Sequence, residues 1–228
     1  MEESKEWRRA QELELAYWQE GCADGGRTPS NSTPEHSRLI WERFGVTPKD
    51  WAGKVILDVG CGPTARLWCF AVRSTIAAID PLMAHYAELP GGNLQSYQLR
   101  IEGRAESFCD SYEQSFDVVV CLNTLDHTDR PPLVVENMFR YCKPGGIGVL
   151  STDCNRMHDA MHPHAFHHYE VETMILDAGW TIVKRARGKS FPMMNEDGIA
   201  YWMEGWSPGA TAYHWWLRRP KTEELQTI

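Results

Sequence analysis

Residues 54–63 read Lys-Val-Ile-Leu-Asp-Val-Gly-Cys-Gly-Pro, and the order of chemistry in that run decides the fold. Val55, Ile56, Leu57 and Val59 suit a buried strand, with Asp58 as the acid among them and Gly60-Cys61-Gly62 as the turn that ends it. Thr64-Ala65-Arg66-Leu67 then opens an expected helix over 64–72. A strand that feeds a helix through such a turn aims backbone N–H groups and the positive end of the helix dipole at a bound anion. The stretch therefore predicts an α/β sheet with a ligand at the rim where its strands end.

Outward from this point the chain alternates strand and helix signals. Strands are expected at 54–59, 75–79, 97–101, 117–121 and 147–151, and helices at 64–72, 82–88 and 131–142. A helix near 169–178 ends at Gly179, and Trp180–Arg187 reads as the next strand. The last strand, Thr211–Arg218, follows a Gly/Pro-rich insertion at 188–210 and is placed to return antiparallel. Ahead of the core, residues 2–20 read as a helix, GCADGGRTPSNSTP as a loop, and Thr33-Pro34 as the start of a short helix over 35–44. The alternation predicts a mostly parallel seven-stranded sheet with helices on both faces and right-handed crossovers.

Composition narrows the function classes. At 228 residues the chain suits one embellished domain rather than two. A net charge of −8 argues against a nucleic-acid partner, which needs clustered Lys and Arg. The nearest cluster, Lys184-Arg185-Ala186-Arg187-Gly188-Lys189, is short and reads as a solvated strand end. The charged start MEESKEWRRAQELEL is not a secretory signal, and no apolar run reaches membrane-spanning length. Seven cysteines without a CxxC pair do not suggest a disulfide framework. A cytoplasmic protein without membrane or nucleic-acid partners is expected; oligomeric state is not readable.

Taken alone, Gly60-Cys61-Gly62-Pro63-Thr64-Ala65 satisfies a G-x-G-x-x-A dinucleotide template, with Asp80 near the position of a ribose-binding acid. That match fits a nicotinamide or flavin oxidoreductase. The wider pattern resembles the class I (Rossmann-like) S-adenosylmethionine-dependent methyltransferases over residues 53–187. Leu57–Pro63 is similar to the first motif of that family, Ile79-Asp80-Pro81 to the end of its second strand, and Arg104–Phe108 to the segment that lies against adenine. Phe116–Asn123, continuing through Leu125-Asp126-His127, resembles the fourth-strand motif. Lys143-Pro144-Gly145-Gly146 resembles the turn before the fifth strand, and His164-Ala165-Phe166 with Asp177–Trp180 the region before the sixth. Each motif is weak alone, but their order and spacing together are specific.

The resemblance implies an enzyme that transfers methyl groups from S-adenosylmethionine, its cofactor, to a small-molecule acceptor at oxygen or nitrogen. It divides a single domain 1–228 into a helical cap (1–52), a cofactor-binding core (53–187), and an insertion with the last strand (188–228). It implies cofactor contacts from Asp58, Gly60, Cys61, Gly62, Thr64, Asp80, Pro81, Leu82, Ala105, Glu106, Leu122 and Asn123. The cofactor carboxylate would rest on the N–H groups around Gly60–Gly62, and Asp80 would accept from both ribose hydroxyls. Two departures matter. Thr64 stands where the family has its third glycine, so the backbone there must be ordinary, and its hydroxyl is free to donate to the carboxylate. Arg104 stands where many members have an acid, which leaves the Ala105 N–H and Glu106 side chain to adenine. A macromolecular (tRNA or protein) acceptor, an NAD(P)-dependent oxidoreductase and a non-catalytic cofactor-binding relative are the other readings.

Methyl transfer to a protonated oxygen or nitrogen needs a base, and three histidines are candidates. His127 ends the fourth-strand segment, with Asp126 placed to cap the next turn, and His162 and His164 lie in a loop after the fifth strand. That loop, His158-Asp159 to His167-His168, holds five histidines, but Pro163 breaks any continuous helix through them and no cysteine adds zinc spacing. No metal is expected there. His167 falls at a helix N-cap position. Tyr17, Trp18, Trp202 and Trp206 are candidates for an aromatic wall that roofs a flat or cationic acceptor.

Overall fold

A computed structural model describes residues 3–23, 33–90, 93–155, 157–188, 192–194, 200–202 and 211–225. Two helices, α1 (Lys5–Ala23) and α2 (Pro34–Arg43), precede the sheet. The Thr33 hydroxyl accepts the His36 amide at 3.1 Å, and Pro34 fills the first turn, so α2 starts where the Thr-Pro pair predicted. The strands are β1 (Val55–Val59), β2 (Thr75–Asp80), β3 (Leu99–Glu102), β4 (Phe116–Leu122), β5 (Cys142–Cys154), β6 (Thr181–Gly188), β7 (Pro192–Met194), β8 (Ala200–Trp202) and β9 (Thr211–Arg218). Between them lie α3 (Met83–Glu88), α4 (Pro131–Tyr141) and α5 (His168–Asp177), and α6 (Thr222–Leu225) follows β9.

Seven strands form one sheet in the order β3-β2-β1-β4-β5-β9-β6. β1 to β5 pair in parallel, and β9 inserts antiparallel to both β5 and β6. Strands buried on both faces carry near-continuous apolar runs, as β4 does with Phe-Asp-Val-Val-Val-Cys-Leu. Alternate residues serve opposite cores. Ile56, Val118, Val120 and Val149 pack with Trp41, Phe44, Trp51, Phe70 and Tyr97. Leu57, Val59, Val119, Cys121 and Leu150 pack with Val134 and Met138 of α4 and Val171 and Ile175 of α5.

Two expectations need correction. The stretch 143–146 is not a turn ahead of a strand but a bulge inside β5: Phe116 pairs with Cys142 and the next pair is Val118 with Ile147. More consequentially, the helix expected over 64–72 does not form; a single 3-10 turn, Trp68–Phe70, stands there. Ala65 sits at φ +47°, outside helical geometry, and side chains from elsewhere take the backbone groups. Ser37 Oγ donates to Arg66 O and accepts the Cys69 amide, Trp41 Nε1 also donates to Arg66 O, and the Leu67 amide donates to Tyr97 Oη. Two residues of the basic run on β6 have local partners among the described residues: Lys184 lies 4.5 Å from the Trp216 ring centre and Arg185 pairs with Glu172 at 2.5 Å.

Candidate active site

A cavity of about 600 Å³ opens at the carboxyl ends of β1, β2 and β4, between α1 and the loop after β5. The turn after β1 forms its floor. The Gly60 amide donates to Ile79 O at 2.8 Å and the Gly62 amide to Asp80 Oδ2 at 3.0 Å. A side chain cannot be added at Gly60: its φ is +67°, and a Cβ would lie 2.0 Å from Thr124 Cγ2. Thr124 Oγ1 in turn donates to Gly60 O at 2.9 Å, which joins the first and fourth strand ends. Gly62 also has a positive φ, +56°, and the next one falls on Ala65 rather than on Thr64, which lines the cavity.

Two of the turn's amides, those of Gly60 and Gly62, are already engaged, and the segment that follows the turn forms a 3-10 turn rather than a helix whose dipole could face the site. Arg66, four residues beyond Gly62, lines the cavity with Nη1 3.4 Å from Leu122 O. Among the described lining residues it is the one lysine or arginine, set against Glu14, Asp80, Glu106, Asp153 and Asp159.

Asp80 is held by two backbone donors, Gly62 on Oδ2 and Leu82, at 2.9 Å, on Oδ1. Burial pushes its carboxyl up to about 6, against the pull of those donors. Asp58 does not reach the cavity lining. It is buried behind the turn, where its Oδ2 accepts the Tyr97 hydroxyl at 2.7 Å, and burial pushes it up to about 7. Leu82 likewise packs into the core rather than lining the site. Cys61, Pro81, Ala105, Glu106, Leu122 and Asn123 all line it. Glu106 also fastens the loop after β4, since its Oε1 accepts the amides of Asp129 at 2.6 Å and Arg130 at 3.3 Å.

The opposite wall is α1, whose Trp7, Gln11, Glu14 and Trp18 repeat at helical spacing along one face that fronts the cavity. Arg104 anchors that helix. Its guanidinium lies 4.2 Å from the Trp7 ring centre and pairs with Asp129 at 3.1 Å, while Ser4 Oγ donates to Asp129 at 2.6 Å. Gln11 Nε2 donates to His127 O at 3.3 Å. Tyr17 and Trp18 meet edge to face at 5.6 Å, and Trp18 Nε1 donates to Glu14 at 2.8 Å.

The histidine candidates separate cleanly. His127 and His162 line the cavity with ring centres 4.3 Å apart. Asp126, His127 and His162 bring oxygen and nitrogen atoms within 4.8 Å of one another. Asp126 is fully buried, with Thr152 Oγ1 donating to it at 3.4 Å. His164 turns away and stacks on Phe166, with ring centres 5.8 Å apart and planes at 12°, so it leaves the lining. His167 is the N-cap of α5, where it forms a capping box with Glu170. The side chain of Trp202 and all of Trp206 lie outside the described residues. Sequence reading missed Trp7, Gln11, Glu14, Arg66, Tyr86, Asp153 and Asp159; the periodic face of α1 was the available signal for the first three.

Known proteins share this fold. A family profile described as a methyltransferase domain matches residues 36–206. Among curated relatives, a stretch of 124 residues is 38% identical to a ubiquinone biosynthesis O-methyltransferase of Pseudomonas fluorescens (strain Pf-5), covering 50% of this chain and 50% of that one. The chain thus spans about half the length of such relatives. Among solved structures, the N-methyltransferase NodS of Bradyrhizobium japonicum WM9 in complex with S-adenosyl-L-homocysteine aligns with TM-score 0.61 at 15% identity, over 91% of this chain and 99% of that one. The 1,6-didemethyltoxoflavin-N1-methyltransferase of Burkholderia thailandensis aligns with TM-score 0.57 at 16% identity, over 91% and 87%. Identities this low speak for the fold alone.

Proposed function

The chain belongs to the methyltransferase-domain family, and from that premise we propose that it transfers a methyl group from S-adenosylmethionine to a small acceptor at oxygen or nitrogen. The observation that carries this reading is the joined floor of the cavity, where the Gly60–Gly62 turn and the Asp80 carboxylate are locked together at the ends of neighbouring strands. Asp80, fixed by two amides, presents acceptor lone pairs suited to a vicinal diol. Gly62 lines the cavity, and a side chain added there would meet nothing within 4 Å, so a ligand can approach the backbone at that point. The residues present therefore fit a nucleoside that carries an amino-acid tail.

Arg66, the basic residue of the described lining, is the partner for that tail's carboxylate. Glu14 or Asp153 complements its ammonium group. When bound, S-adenosylmethionine supplies an electrophilic methyl on a sulfonium, so the protein's work is alignment, worth roughly 7–11 kcal/mol, and removal of the acceptor's proton. His127 and His162 stand at the cavity to take that proton. The relatives named as O-methyltransferases favour oxygen as the first acceptor atom to screen. A net charge of −8 supports a small acceptor over a nucleic acid, and among the described residues no helix is long and apolar enough to cross a membrane.

Calorimetric titration with S-adenosylhomocysteine and, separately, with NADH tests the reading. Micromolar binding of the first alone is expected, followed by release of S-adenosylhomocysteine in a screen of phenol, sugar and amine acceptors. Binding of NADH alone would overturn it in favour of an oxidoreductase.

A further inference from the structure

Asp159 lies at the mouth of the cavity and commits one oxygen to three donors from the residues just after it. Its Oδ1 accepts the His162 amide at 2.9 Å, the Met161 amide at 2.9 Å and the His162 ring at Nδ1, 2.8 Å away. Partial burial pushes the Asp159 carboxyl up, but the His162 ring and these amides outweigh it and hold the group down at about 2. An ionised carboxylate only accepts, so Nδ1 of His162 carries a proton, and in the neutral ring Nε2 then carries the lone pair. His127 is held differently: its Nδ1 stands 3.7 Å from Glu14 Oε2, beyond hydrogen-bond reach.

We propose that Asp159 is the positioning residue for a base at His162, fixing its tautomer and ring orientation so that Nε2 takes the acceptor's proton. The inference deepens the methyltransferase reading and rests on it. As the acceptor oxygen bonds to the methyl carbon, the carbon–sulfur bond breaks with its electron pair kept by sulfur, and the O–H proton passes to His162 Nε2. The positive charge that develops on the ring is offset by Asp159 across the 2.8 Å contact. With the two imidazoles 4.3 Å apart, charging both at once is unfavourable, and the carboxylate in contact selects His162. Among the described residues, Asp126 and His127 after β4 bring ligand atoms within 4.8 Å of that ring, and Glu14 on α1, Asp80, Glu106, Asp153 on β5 and Arg66 line the same cavity.

The test uses the full chain labelled with nitrogen-15 histidine, as wild type, Asp159→Asn, Asp159→Glu and His162→Gln. Long-range proton–nitrogen spectra assign His162 by its absence from His162→Gln. The expected result is the Nδ1–H tautomer near neutral pH, with a titration midpoint that falls by about one unit in Asp159→Asn and recovers in Asp159→Glu. S-adenosylhomocysteine affinity should stay unchanged in Asp159→Asn, while turnover drops by about 10²-fold or more and its acid limb moves to lower pH. An Nε2–H tautomer, or a midpoint indifferent to Asp159, would overturn the proposal. So would stoichiometric zinc or manganese in purified protein that His162→Gln removes, since a metal would then hold the lone pair. Failure of the wild type to bind S-adenosylhomocysteine would instead sink the methyltransferase reading, and the tautomer result would still be read independently.

Discussion

The Tyr97 hydroxyl donates to Asp58 Oδ2 at 2.7 Å and accepts the Leu67 amide at 3.0 Å, so one phenol bridges the acid of β1 to the irregular segment after it. Asp58 serves the architecture of the cavity floor from behind. Tyr97→Phe should leave both the carboxyl and the amide without this partner and cost on the order of 1–3 kcal/mol. Urea unfolding measures it; an unchanged midpoint would mean that the bridge contributes nothing.

The raised carboxyls of Asp58 and Asp80 set a direction for stability against pH. Each holds its proton more tightly folded than unfolded, so the stability they contribute is full below the ordinary carboxylate value of 3.8 and is lost as pH rises through about 6 for Asp80 and about 7 for Asp58. Melting temperature should therefore decline between these limits. Asp58→Asn should flatten the decline, and an identical slope in wild type and variant would remove Asp58 as its source.

Arg66→Gln separates the two ends of the cofactor. S-adenosylhomocysteine should bind at least tenfold more weakly, in keeping with about 1.5–3 kcal/mol for a lost charged hydrogen bond. Binding of 5′-methylthioadenosine, which lacks the amino-acid carboxylate, should not change. Equal losses for both ligands would place the carboxylate elsewhere.

Asp80→Ala should weaken S-adenosylhomocysteine and 5′-methylthioadenosine alike, by tenfold or more, because the ribose is common to both. Asp80 also holds the amides of Gly62 and Leu82, so the variant should melt earlier as well. Unchanged affinity for both ligands in calorimetry would take Asp80 off the ribose.

Much of the fold was readable along the chain, and the exceptions share a cause. β9 occupies the residues expected for it, Thr211–Arg218, because a run bounded by Gly/Pro-rich sequence and rich in tryptophan has few alternatives. The helix over 64–72 failed because its competitors are distant in sequence: Ser37, Trp41 and Tyr97 bind the backbone groups that a helix would have used. Arg66 was not singled out as a cavity residue, because a helix dipole was expected to serve the carboxylate there. Glu14 stood in plain view on the face with Trp7, Gln11 and Trp18, yet mixed polar and aromatic residues do not register as a stripe when only apolar spacing is counted. The separation of His162 from His164 depends on Pro163 and on stacking with Phe166, which no spacing rule contains.

The place of β9 between β5 and β6 carries a consequence for how the chain is made. In the large sheet β6 is an edge strand whose neighbour is β9, so residues 181–188 leave the ribosome with their docking site not yet synthesised. A nascent chain halted before residue 211 would hold β1 to β5 in register and show an open flank along β5. Completion of the sheet then waits on synthesis of residues 211–218, and loss of that stretch would unseat two strands at once.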